Sequence, residues 1–123
     1  MGAPAFDIAA SRFREEDTPF LSAHRVASLL GVTLTELATL VGVARNTLTA
    51  KSGARKVDLA LSPVVRIVAM ASEMAEDDQR AAIWFKHQPI PGWAGKTGYD
   101  LVREHKADKV LAYLEAVRSG VYA

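Results

Sequence analysis

A chain of 123 residues, half of them hydrophobic and 24% charged, is expected to fold around one shared core, because it is too short for two independent cores of ordinary size. It contains no cysteine, which excludes disulfides, thiolate metal sites and cysteine nucleophiles. No apolar run approaches the roughly 20 residues of a spanning helix and no basic-then-apolar leader opens the chain, so a cytoplasmic location is expected. The net charge of +1 is unevenly spread: residues 1–21 hold two bases and four acids (net −2), residues 22–61 five and two (net +3), and residues 62–123 eight of each.

In chain order, residues 1–21 show small residues, Pro4, Pro19 and the charged stretch Arg12 to Asp17, with no periodicity beyond a short turn around Phe6 to Phe13. A loose arm is expected there. Ser22 is a good N-cap, Val26, Leu29 and Leu30 fall on one helical face, and Gly31 stops that helix. Thr33 and Glu36 have capping-box spacing, and Leu34, Leu37, Ala38 and Val41 follow at i, i+3, i+4 and i+7, which predicts a second short helix to Gly42. A third helix is expected over Ala44 to Ser52, anchored by Leu48 and ended by Gly53.

Ser62 followed by Pro63 reads as an N-cap with proline at the first helical position, and Val64, Ile67, Val68 and Ala71 trace one stripe to about Ala75. Asp77 and Asp78 favour a new helix start, with Ala81, Trp84 and Phe85 on one face before the breaker-rich loop Gln88 to Gly95. Trp84 is expected in the core and Trp93, in the loop, as an exposed interface anchor. Thr97 and Asp100 start a short helix to about Glu104, and Asp108 is placed to cap a last helix on which Val110, Leu111, Leu114 and Val117 align before Gly120. With no convincing period-two run between hairpin turns, the predicted fold class is all-α.

The stretch Glu36 to Ser52 has the spacing of a helix-turn-helix. Ala38 lets two helices approach, Gly42 accommodates a positive φ at the turn, Val43 fills the angle and Leu48 pins the second helix. In a major groove the second helix would present Arg45, Asn46 and Thr47, with Thr49 on the same polar helix. Arg and Asn suit bidentate contacts with guanine and adenine, and Lys51, Arg55 and Lys56 would meet phosphates. The plainer reading is a helical hairpin with a solvated polar face, and Lys51 stands where such motifs place a second apolar anchor.

Catalysis finds no support. His24, His87 and His105 have no ligand spacing, so no metal site is expected. There is no glycine-rich phosphate loop or serine elbow, and Asp77 and Asp78, adjacent on a helix, point apart. No catalytic residue and no cofactor is predicted, and the protein is read as a binder.

Trp84, the Pro/Gly-rich loop, Gly95-Lys96-Thr97 leading into Tyr99 to Leu101, and a last helix ending Gly120-Val121-Tyr122-Ala123 together resemble the antitoxin C-terminal domain of the Xre/MbcA/ParS family. With the preceding helix-turn-helix, the resemblance covers residues 22–123. It departs at Gly98, where members commonly have proline. Only the arm, residues 1–21, lies outside it; the resemblance implies an Xre-like helix-turn-helix domain (22–61) and a helical antitoxin, toxin-binding domain (62–123). It further implies a cognate RES-domain toxin that degrades NAD or transfers its ADP-ribose, whose NAD cleft the last helix and tail would occlude. A homodimer within a hetero-oligomeric complex and autorepression of the operon are implied as well.

The expected toxin contacts are then Trp93, Val117, Arg118, Gly120, Val121, Tyr122 and Ala123. A flat Tyr122 ring and a terminal carboxylate suit a dinucleotide pocket. The alternative is a helix-turn-helix DNA-binding transcriptional regulator without a toxin partner.

Overall fold

Ser22 starts the first helix by accepting the Arg25 N–H at its hydroxyl, and Gly31, at φ 68°, ends it, so α1 runs Ala23–Leu30. The computed structural model describes residues 13, 14, 21–50 and 53–120. Next comes α2, Leu34–Val41, entered through a reciprocal capping box. The Thr33 hydroxyl accepts Glu36 N–H at 3.0 Å and the Glu36 carboxylate accepts Thr33 N–H at 2.9 Å. Then follow α3 (Arg45–Thr49), α4 (Ala54–Ala75), α5 (Asp78–His87), α6 (Gly98–Arg103) and α7 (Ala107–Arg118). Among the described residues there is no strand, only two isolated bridges, Arg14 with Leu21 and Pro89 with Thr97. The all-α expectation holds.

The long helix α4 is the axis of the molecule. It packs most extensively against α5 and α7 and also touches α1, α2 and α3, while α6 is wedged against α5, α7 and α2. One hydrophobic cluster gathers Val26 and Leu30 from α1, Leu37 and Leu40 from α2, Leu48 from α3, Leu61, Val64, Val65, Ile67 and Val68 from α4, Phe85, Leu101, Val110 and Leu114. The predicted stripes of α1, α2, α4, α5 and α7 face it, except for Ala71, Ala81 and Val117, which lie outside the cluster. Leu40, outside the predicted i, i+3, i+4, i+7 set, is buried too, because α2 is covered on more than one side.

Four local expectations are corrected. The helix predicted to start at Ser62–Pro63 starts at Ala54, and Pro63 lies inside it. An interior proline costs about 3 kcal/mol. Val57 and Leu61, both buried, extend the stripe of Val64 and Val68 one and two turns upstream, and burial of such side chains contributes roughly 1.5–3 kcal/mol each, enough to carry the helix through. The expected boundary between residues 61 and 62 therefore falls within one continuous helix.

The third helix is shorter than Ala44 to Ser52: Ala44 is its N-cap and the chain is extended again at Ala50. Asp108 lies in the first turn of α7 rather than at its cap, which is Lys106. Helix α6 ends in a tight return, with Lys106 N–H donating to Leu101 C=O at 2.8 Å, and this sets the start of α7 two residues earlier. Lastly, Phe13 and Leu21 of the expected loose arm are buried. Ser22 N–H donates to Phe13 C=O, and Leu21 N–H donates to the Asp58 carboxylate of α4 at 2.9 Å. The rest of that arm lies outside the described residues.

Candidate functional site

Two surfaces carry the residues singled out by the sequence. The first is the corner between α2 and α3. Gly42 adopts φ 77° and its N–H donates to Ala38 C=O at 2.9 Å, while Val43 N–H donates to the same carbonyl at 3.1 Å. Ala38 and Leu48 are buried and Val43 is half-buried, so the turn is plugged as the spacing requires.

On the outside of this corner Arg45, Asn46 and Thr49 are exposed and Thr47 is half-buried; Arg55 and Lys56 are exposed on the first turn of α4, directly after it. The backbone of Thr47 is approached closely by Gly53, where an added Cβ would lie 3.3 Å from the Thr47 carbonyl. Lys51 lies outside the described residues. Six of the seven residues read as DNA contacts thus share the α3 and α3–α4 region, a polar, basic corner held by Leu48 alone among the residues of α3.

The second surface is built by α5, the loop after it, α6 and α7. Asp77 caps α5 by accepting Gln79 N–H at 2.8 Å and Arg80 N–H at 3.4 Å. The breaker-rich loop is a clasp: Ile90 is buried beneath it, Ile90 N–H donates to Lys96 C=O at 2.8 Å and Lys96 N–H donates to Trp93 C=O at 3.0 Å. Lys96 Nζ reaches the Glu104 carboxylate at 2.7 Å, Lys106 Nζ approaches the same oxygen at 3.6 Å, and the Lys106 ammonium sits 5.5 Å from the Trp93 ring centre. The hydrogen bond from Lys96 holds the Glu104 carboxyl below its ordinary value. Trp93 is consequently half-buried against the core rather than a free-standing anchor, and Trp84, expected inside, is half-buried as well.

Beneath the clasp, Gly98 lets α6 lie directly on α5. A Cβ there would meet Phe85 Cδ1 at 2.9 Å, and the Phe85 and Tyr99 rings lie 5.8 Å apart at 59°. Burial, and after it the charge of Glu36 on α2, pushes the Tyr99 phenol up, and α6 packs against α2 as well as against α5 and α7.

At the far end of α7, Val117 is half-buried while Arg118 and Gly120 are exposed, and Gly120 turns the chain at φ 86°. Val121, Tyr122 and Ala123 lie outside the described residues. Arg118 is held charged chiefly by its hydrogen bond to and the charge of Glu115, with a smaller contribution from Glu73, and α7 packs along α4. Trp93 belongs to the opposite end: Lys106, over its ring, precedes α7, and the 12 residues of that helix span about 18 Å. The structure therefore does not bring Trp93 together with Val117, Arg118 and Gly120.

Between the ends of α4, α5 and α7 lies a groove of about 310 Å³, lined by Ala71, Met74 and Ala75, by Ala81 and Trp84, and by Leu114, with Arg80 at its rim. Sequence reading missed both this groove and the Lys96–Glu104–Lys106 cluster. The groove had a signal, since Met74 continues the Ile67, Ala71 stripe at i+7 and i+3. The cluster had none, because a loop lysine and a carboxylate eight residues on carry no fixed geometry until the loop closes. The three histidines are exposed, and among the described residues no group of His, Asp or Glu is arranged to hold a metal ion. Nor is any helix among them long and apolar enough to cross a membrane.

The all-helical chain thus carries a basic corner at α3 and the start of α4 and, apart from it, a grooved surface between α4, α5 and α7. Residues 70–120, from the last turns of α4 through α7, match the family model of the antitoxin Xre/MbcA/ParS C-terminal toxin-binding domain. No curated protein and no solved structure matches the chain. The family match supports an antitoxin function and a toxin as partner.

Proposed function

We propose that the protein is an antitoxin that neutralises a cognate RES-domain toxin, one that consumes NAD or transfers its ADP-ribose, by laying its last helix and tail over the NAD cleft. The observation that carries this reading is the match of residues 70–120 to a toxin-binding domain. The packing supports it. Val110 and Leu114 are buried and fasten α7 to the core, so Val117, Arg118 and Gly120 stand at the end of a docked helix. Trp93, at the other end of α7, is a second contact on the same partner. The protein acts by binding, needs no catalytic residue or cofactor of its own, and works in the cytoplasm as a homodimer within the toxin complex.

The deciding experiment is NAD consumption, or ADP-ribose transfer, by the toxin encoded beside this chain, with the chain titrated in. Activity falls to background at a fixed molar ratio, and deleting residues 120–123 restores activity while much of the complex persists. A neighbour that neither binds this chain nor loses activity to it would sink the reading.

A second function has its own observation, the plugged Ala38–Gly42–Leu48 corner with Arg45 and Asn46 exposed on it. The protein also binds its operator and represses it, with Arg45, Asn46, Thr47 and Thr49 reading bases and Lys51, Arg55 and Lys56 on phosphates. Arg45→Ala and Asn46→Ala each weaken operator binding by about 1–3 kcal/mol, whereas Lys56→Ala weakens binding to any sequence and lowers the salt slope by about one. A regulator without a toxin partner would bind the operator and fail the NAD assay.

A further inference from the structure

Occlusion by a short tail leaves the groove between α4, α5 and α7 without a role. Resting on the antitoxin reading, we propose that this groove is the toxin's docking seat: an apolar segment of the toxin inserts a large aliphatic or aromatic side chain between Met74 and Trp84. Affinity and inhibition then reside in different parts of the antitoxin.

Several observations meet here. Every lining residue falls within 70–120, the part that matches a toxin-binding domain. Ala71, Ala75 and Ala81 make the walls small, which is why about 310 Å³ is open between helices that elsewhere close on each other, and that volume is at the lower end of what binding clefts use. The two large groups at the groove are of adaptable and anchoring type: Met74 is 38% exposed although its neighbours on the stripe, Ile67 and Ala71, are buried, and Trp84 is half-buried.

The rim is polar and of mixed sign. Arg80 at the rim lies 3.8 Å from Asp77, which resembles the polar border of a protein interface rather than a face repelling a partner of either charge.

The groove also lies where the tail leaves. Leu114 of α7 lines the groove, and Gly120 follows six residues later, just beyond the end of that helix. A toxin seated in the groove therefore lies beside the end of α7, so that an inhibitory tail would act on it at the high local concentration of a tethered group. Leu59 and Ile83 are more exposed, at 69% and 60%, yet neither lines this groove, which makes Leu59, outside the matched region, a fitting control.

The test measures the dissociation constant for the neighbouring toxin, and residual NAD consumption, with the full chain carrying Met74→Glu, with Leu59→Glu, and with residues 121–123 deleted, each checked for helicity and melting temperature. Met74→Glu weakens binding by about 30-fold yet still inhibits fully once saturating, and Leu59→Glu changes neither value. The tail deletion shifts affinity less than about 5-fold while abolishing inhibition.

Fluorine-labelled tryptophan, with Trp93→Phe assigning the signals, adds a readout on the unaltered groove: the Trp84 resonance shifts when toxin binds. Met74→Glu binding within about 3-fold of wild type, or an unmoved Trp84 resonance in a saturated complex, overturns the proposal while leaving tail occlusion standing. Loss of a homodimer in Met74→Glu with toxin affinity unchanged assigns the groove to a second copy and also overturns it. A wild-type chain that does not bind the toxin at all instead refutes the antitoxin reading beneath it.

Discussion

His105 closes over Gly42: an added Cβ on Gly42 would lie 3.3 Å from His105 Cε1. Gly42 ends α2 at its corner with α3 and His105 lies in the connection between α6 and α7, both with positive φ, 77° and 65°. The basic corner and the grooved half thus touch directly, in addition to sharing α4 and a hydrophobic core.

Gly42→Ala is expected to destabilise the fold by about 1–2 kcal/mol, since the left-handed conformation disfavours any Cβ and the histidine ring adds crowding. Urea denaturation of Gly42→Ala, His105→Ala and the double variant separates the two causes. The double variant recovers the crowding part and retains the conformational part; strict additivity would show that the ring does not press on this position.

Gly98→Ala loses about 1–3 kcal/mol, because its Cβ would overlap Phe85 Cδ1 at 2.9 Å. Gly98→Pro, the residue implied at this position by the family resemblance, is destabilising here as well although proline suits the first position of a helix, for the ring brings the same Cβ. Pairing either substitution with Phe85→Leu restores part of the melting temperature. A proline variant as stable as wild type would mean that α5 and α6 separate freely.

Pro63→Ala is expected to stabilise. Proline at this place supplies no N–H to Leu59 C=O within a helix that runs unbroken from Ala54 to Ala75, and alanine restores that bond. Against the roughly 3 kcal/mol of an interior proline stands the unfolded-state advantage of proline, about 0.4–1 kcal/mol, so a net gain near 2 kcal/mol is predicted. A lower melting temperature in Pro63→Ala would place a helix break at this residue after all.

Glu104 sets a pH dependence. Its carboxyl is depressed below the usual 4.5 by the hydrogen bond from Lys96, then by the charges of Lys96 and Lys106. A group with a lowered folded-state pKa contributes stability that is present above the unfolded value and lost as pH falls through the folded one. The difference in melting temperature between wild type and Glu104→Gln is therefore constant from pH 7 to about 5, shrinks below 4.5, and is smaller in high salt because the pair is partly exposed. A difference independent of pH would show that Glu104 acts through packing alone.

The helix boundaries were legible where the chain carries its own local chemistry. Ser22, the Thr33–Glu36 box, Asp77, the Thr97–Asp100 box and the stop glycines Gly31 and Gly42 each satisfy backbone groups within three or four residues, so their spacing alone specifies the result. Reading failed where a local signal met a distant partner. Ser62–Pro63 looks like a start until Val57 and Leu61 are known to be buried, and Asp108 looks like a cap until the return of α6 onto Leu101 is seen.

By itself, then, the sequence determined an all-helical chain, its caps and stripes, the spacing of a helix-turn-helix corner and the charge bias that makes that corner basic. Only the tertiary structure decided which polar residues share a surface. It set Arg45, Asn46 and Thr49 beside Arg55 and Lys56, placed Trp93 and Gly120 at opposite ends of α7, closed the loop through Lys96 and Glu104, and left the groove beside Met74 and Trp84. The physical reason is range. Capping and helical periodicity act over a few residues, whereas clasps, grooves and the juxtaposition of surfaces depend on how helices distant in sequence pack around α4.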